Sequence, residues 1–160
     1  MRLYILRHGI AEERGPGGDD AKRALTKEGV DELRQVMRAA RHAKVNPELI
    51  ITSPYVRAVQ TAKVAAQVLG HMQPLVESEA LVPSSTPQQV WEEVRIHKAA
   101  PELMIVGHDP LFSHIIGHLL GAPSAQVDMK KGALARIDFE SFGVQPRGTL
   151  KWLIHPKLVV

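Results

Sequence analysis

The stretch Arg2-Leu3-Tyr4-Ile5-Leu6-Arg7-His8-Gly9 opens the chain with four apolar residues held between two arginines and closed by a glycine. A short apolar run with charged and turn residues at its ends is the pattern of a central strand buried on both faces. The pattern recurs at residues 49–52 and 103–106, rich in Leu, Ile and Val. Each run is followed by a loop and then by helical spacing, so strands and helices alternate.

Between residues 26 and 43, Val30, Leu33, Met37 and Ala40 fall three and four apart, with Arg34, Arg38 and Arg41 on another face and Thr26 placed to cap the helix. Ser53-Pro54 reads as an N-cap followed by proline at the first helical position, for a helix running to Leu69 and stopped by Gly70. Thr86-Pro87 repeats that signature for a helix ending near Ala99, and Asp109-Pro110 repeats it for residues 111–120, terminated by Gly121. After Pro123 the period changes to two, and residues 133–139 and 149–154 form an antiparallel pair around a turn at 143–148. The expected architecture is an α/β fold, a three-layer α/β/α sandwich with a mainly parallel central sheet and an antiparallel edge strand, in a single domain over residues 1–160. Gly15-Pro16-Gly17-Gly18 reads as a flexible loop, too early to divide two domains.

With 160 residues, 44% of them hydrophobic, the chain can bury about two-thirds of its unfolded surface, enough for a core without staples. It has no cysteine, which excludes disulfides, thiolate metal sites and cysteine nucleophiles together. A net charge of +3 is a mild basic bias, and 4% aromatic residues offer no stacking surface for single-stranded nucleic acid. No apolar window approaches a membrane span, and the opening run is too short for a signal peptide. The expectation is a cytoplasmic protein with neither nucleic acid nor membrane as partner. A pocket for a small anion fits the same charge.

Arg7-His8 ends the first predicted strand, Ser53-Pro54-Tyr55-Val56-Arg57 follows the second, and Gly107-His108 the third. In open α/β sheets, ligands bind outside the carboxyl ends of the strands. A lone His there is more often a turn residue, and a lone Arg more often an ion-pair partner. Four together at three successive strand ends, with few carboxylates near to neutralise them, point to a site for an anion such as phosphate, which takes guanidinium forks and imidazole donors.

These residues also carry a family likeness. Leu6-Arg7-His8-Gly9, the block from Ser53 to Thr61 with Arg57 inside it, and Val106-Gly107-His108 resemble, in order and spacing, the three signature blocks of the histidine phosphatase superfamily, whose fold is phosphoglycerate mutase-like. The length, without inserted subdomains, is similar to that of the small SixA-type phosphohistidine phosphatases, and Arg23-Ala24-Leu25-Thr26 resembles the loop by which that branch brings an arginine toward its pocket.

The resemblance implies a metal-independent phosphatase without a cofactor. His8 would attack phosphorus and carry a transient phosphohistidine, Arg7, Arg57 and His108 would hold the phosphoryl oxygens, and Arg23 would be an auxiliary contact. The implied partner is a histidine-phosphorylated protein, a phosphotransfer domain or phosphocarrier in a signalling or sugar-uptake system. A phosphatase of small monoesters is the alternative and needs a general acid, for which the candidates are Glu79, which reads equally as a solvated loop residue, and Asp109, which is better explained as the cap of its helix. A non-catalytic phospho-recognition module is the alternative from another class, and a histidine nucleophile would be superfluous in it. His114 and His118, four apart, have metal-ligand spacing but no evident third ligand, and read as core or interface residues.

Overall fold

The computed structural model describes residues 1–14 and 17–159; half of the expected loop, Gly15-Pro16, and the terminal Val160 lie outside the described residues. The elements are β1 (Arg2–Arg7), α1 (Lys27–His42), β2 (Leu49–Thr52), α2 (Val56–Leu69), β3 (Val76–Glu77), α3 (Pro87–Ile96), β4 (Glu102–Gly107), α4 (Leu111–Leu119), β5 (Leu134–Asp138) and β6 (Thr149–Ile154). They build one sheet in the order β3-β2-β4-β1-β5-β6. β1, β2, β3 and β4 pair in parallel, whereas β5 runs antiparallel to β1 and to β6. The short edge strand β3 had no periodic signal, since two residues are too few to show one.

The strand reading of residues 2–6 follows from their burial. Leu3 and Ile5 pack with α3 and α4 on one face; Tyr4 and Leu6 pack with α1 and α2 on the other, and all four are at most 1% exposed. Each face has its own core, and full burial of a residue such as Leu or Ile contributes about 1.5–3 kcal/mol. The result is the expected three layers. Trp91 lies beneath Phe139 and Phe142 and donates its indole N–H to the Gly143 carbonyl, which satisfies its polar end.

The caps hold in part. Thr26 accepts from Gly29 N–H at 2.9 Å, Thr86 and Gln89 form a complete capping box, and Gly70 and Gly121 end their helices with positive φ. Two starts differ from the proline signature. α2 begins at Val56 behind Tyr55, with the Ser53 hydroxyl against His108, and α4 begins at Leu111 behind Pro110, while Asp109, one residue earlier, still accepts from Ser113 N–H in the first turn. α3 stops at Ile96 rather than near Ala99, with a turn over the following residues.

One close approach sets the height of α1 over the sheet edge. Gly29, in its first turn, presses on the backbone of Ile10; an added Cβ would collide with the Ile10 carbonyl oxygen and come within 2.9 Å of its nitrogen. Gly29→Ala should therefore lower the unfolding free energy by about 1–3 kcal/mol, although alanine favours an isolated helix by roughly 1 kcal/mol. Chemical denaturation reads the sign, and a gain in stability would show that α1 does not rest on Ile10.

Candidate active site

The three strand ends meet because their strands are neighbours. In the register, Arg7 lies opposite Gly107 and Thr52 opposite Val106. The ladder continues one residue further, with His8 N–H donating to the Gly107 carbonyl at 2.9 Å and Ser53 N–H to the Val106 carbonyl at 3.0 Å. His8, Ser53 and His108 are thereby set along one carboxyl edge of the sheet. Arg57 reaches the same point from the first turn of α2 and is 4% exposed.

The partners of the His8 ring define its tautomer. Nδ1 lies 2.7 Å from the Gly9 carbonyl oxygen, which can only accept, so Nδ1 carries the proton. Arg57 Nε, which can only donate, points at Nε2 from 3.3 Å, so Nε2 presents its lone pair. Burial favours this neutral form and, against the Gly9 hydrogen bond, joins with Arg57, Arg7 and Arg23 to push the imidazole down to about 4. The ring of His108 stands 5.2 Å from that of His8, and its Nε2 is 2.8 Å from Ser53 Oγ. Burial, followed by His8 and Arg57, pushes His108 down to about 3. Two buried polar atoms of this cluster, His108 Nδ1 and Arg7 Nε, have no hydrogen-bond partner among the described residues.

Neighbouring backbone is tied to the cluster. Thr61 Oγ1 accepts from Gly9 N–H at 3.2 Å and donates to the Arg57 carbonyl at 2.8 Å, joining the loop after β1 to α2. Gln60 accepts from Leu25 N–H, and Gly132 N–H donates to the carbonyls of Arg7 and His8. Arg7 donates to the Met129 carbonyl and lies 3.6 Å from the Asp109 carboxylate, whose other oxygen accepts from Ser113 N–H and Oγ–H.

Arg7, His8, Arg57 and His108 are thus brought together as the strand order requires. Arg23 joins them through Asp20, whose carboxylate lies 3.0 Å from Arg23 Nη1 and 3.1 Å from Arg57 Nη2. The expectation of few nearby carboxylates is corrected by Asp20 and Asp109. Glu79 lies exposed in the 3₁₀ turn after β3, next to Ser78, whose N–H donates to the Thr52 carbonyl at the same carboxyl edge; among the described residues no ion pair or side-chain hydrogen bond joins it to the four. Three contributors were not read from the sequence. Ser53 looked like a cap, Thr61 showed only its position one turn beyond Arg57, and Asp20 sits in a loop without periodicity. His114 is exposed, His118 half-buried, and no group of three or more potential metal ligands occurs among the described residues.

The ring geometry has a spectroscopic consequence. In an imidazole ¹⁵N NMR titration, His8 should remain the Nδ1–H tautomer with a midpoint near 4, and His108 should titrate near 3. Between the unfolded value of about 6.5 and these lower values, the unfolded chain binds protons that the folded one refuses, so stability should fall as pH drops through that window. A midpoint near 6.5 for either ring would contradict its burial.

Comparison with known proteins agrees with the geometry. The model of the histidine phosphatase superfamily, branch 1, matches residues 3–82. The chain is 25% identical over 162 residues to phosphohistidine phosphatase SixA of Escherichia coli K12, with 98% of this chain and 94% of that one covered. It is 34% identical over 114 residues to an uncharacterised protein of Picosynechococcus, covering 69% of this chain and 67% of that one. The solved structure of protein histidine phosphatase SixA complexed with tungstate superposes with a TM-score of 0.89 at 24% identity, over 100% of both chains.

Proposed function

The chain belongs to the histidine phosphatase superfamily and is a phosphatase, and on that footing we propose that it removes the phosphoryl group from a phosphohistidine on a protein, through a covalent intermediate on its own His8. The observation that carries the reading is the state of His8, a neutral imidazole with Nδ1–H fixed on the Gly9 carbonyl and the Nε2 lone pair presented beside a buried arginine. A protonated histidine has no lone pair to attack with. Depression to about 4 keeps this one available at neutral pH.

In the proposed reaction, Nε2 of His8 attacks phosphorus and the bond from phosphorus to the substrate imidazole breaks, its electron pair leaving on that nitrogen and taking up a proton. Water then attacks the phosphorylated His8, the phosphorus–Nε2 bond breaks, and orthophosphate departs. Arg7, Arg57 and His108 hold the equatorial oxygens, where positioning and charge stabilisation supply most of the acceleration in phosphoryl transfer. The orphaned Arg7 Nε and His108 Nδ1 are suited to such oxygens. Arg23 adds charge at the rim. A monoester would need a proton delivered to its leaving oxygen, a task for which Glu79 is the candidate, and a phosphohistidine leaving group relaxes that need.

Phosphate release, measured with chelator present, from a histidine-phosphorylated carrier protein and from a panel of small phosphate esters tests the assignment. Strong preference for the phosphoprotein is the expected result. Preference for an ester would make the protein a small-molecule phosphatase, and release from neither would leave a recognition module. His8→Ala should abolish turnover, and Arg57→Ala should lower kcat/KM by about 10²–10³-fold. Retention of wild-type rates in His8→Ala would overturn the covalent mechanism.

A further inference from the structure

The proposed reaction gives Asp20 no task. The residue sits on the 3₁₀ turn Asp20–Lys22, in which nothing is buried. From there its carboxylate bridges two cations of the site, with Oδ2 3.1 Å from Arg57 Nη2 and Oδ1 3.0 Å from Arg23 Nη1. Its main-chain carbonyl accepts from Arg57 Nη1 at 2.8 Å. The guanidinium that addresses the His8 lone pair through Nε is thus engaged at both terminal nitrogens by a single surface residue. A carboxylate and a phosphoryl group both present paired oxygens to a guanidinium fork, so they compete for the same donors.

Resting on the phosphatase reading above, we propose that Asp20 is an internal counter-ion of the phosphoryl site. Its carboxylate pairs with Arg57 and Arg23 between turnovers, yields them to an entering phosphoryl group, and returns as orthophosphate departs. Asp20 is in this sense a positioning residue that acts through the two arginines.

Attraction that holds substrate, product and transition state equally tightens binding without raising kcat. Arg7, Arg23 and Arg57 around one buried edge would provide such uniform attraction and retain the product. An anion that re-pairs with two of them weakens the ground-state complexes. The Asp20 carboxyl is suited to this, because hydrogen bonding to Arg23 and the charge of Arg57 hold it below the usual carboxylate range. It is also replaceable, since its side chain is 38% exposed.

Asp20→Asn separates charge from scaffold, because the main-chain contact to Arg57 survives it. Titration calorimetry with orthophosphate should show about ten-fold tighter binding to Asp20→Asn than to the wild type, the effect of removing one negative charge a few ångströms away. Product inhibition should strengthen in parallel, with KM falling and kcat not rising. Asp20→Glu, which keeps the charge, should restore the wild-type affinity. A merely structural clamp would give the opposite sign. Unchanged or weaker orthophosphate binding in Asp20→Asn, with the wild type still binding, would overturn the counter-ion role and leave the phosphatase reading standing. Absence of orthophosphate binding in wild type and Asp20→Asn alike would sink both.

Discussion

Everything at the carboxyl edge of the sheet depends on keeping one imidazole uncharged among arginines. His8 is 6% exposed, one Arg57 nitrogen lies 3.3 Å from its Nε2, and Arg7 and Arg23 add to the positive field. A further positive charge on this buried ring would add to those of three guanidinium groups, and the protein resolves the conflict by leaving the ring neutral. The Gly9 carbonyl then chooses which nitrogen holds the single proton. One hydrogen bond to the backbone of the next residue therefore decides that the free lone pair faces the arginine side.

The fold serves this edge by bringing backbones close where side chains would interfere. β1 and β4 run parallel in register, so Arg7-His8 and Gly107-His108 emerge together. A Cβ on Gly107 would meet the Phe112 ring within 2.6 Å, and one on Gly9 would meet Leu33 within 2.7 Å. α4 and α1 thus sit against the strand ends from opposite faces. Their first turns confine the loops that carry His8 and His108, while Thr61 and Gly132 take up backbone groups that the ladder no longer serves. Rigidity at the site is packing that begins in the two cores.

What could be read from the chain beforehand was what repeats or punctuates. The apolar runs at residues 2–6, 49–52 and 103–106 each gave a strand, and Thr26, Thr86, Gly70 and Gly121 marked real helix ends. Arg7, His8 and His108 were legible because they stand at the ends of those strands, and Arg57 because it opens the helix that follows the second. The rest depends on contacts distant in sequence. Ser53 has two competing uses, and pairing with His108, 55 residues away, displaces the simple cap, so α2 starts later than its proline suggests. Asp20 meets Arg57 across 37 residues, from a turn with no hydrophobic period to announce it. The position of Glu79 is likewise a matter of where the turn after β3 falls, which two strand residues could not signal.

The placement of the carboxylates bears on the kind of leaving group the site suits. Asp109 is committed on one oxygen to Ser113 and lies near Arg7 on the other, and Asp20 is drawn into two arginine contacts. Hydrogen bonding to Arg23 and the charge of Arg57 favour the ionised form of Asp20, and an ionised carboxylate cannot donate a proton to a departing oxygen. An alkoxide leaving without that proton carries a full negative charge and raises the barrier steeply. The imidazole of a phosphohistidine is a weaker base, and its leaving nitrogen can take its proton from water. On the proposed reading, a site rich in fixed positive charge suits phosphorus–nitrogen cleavage, because there the arginines need only offset charge on the phosphoryl oxygens.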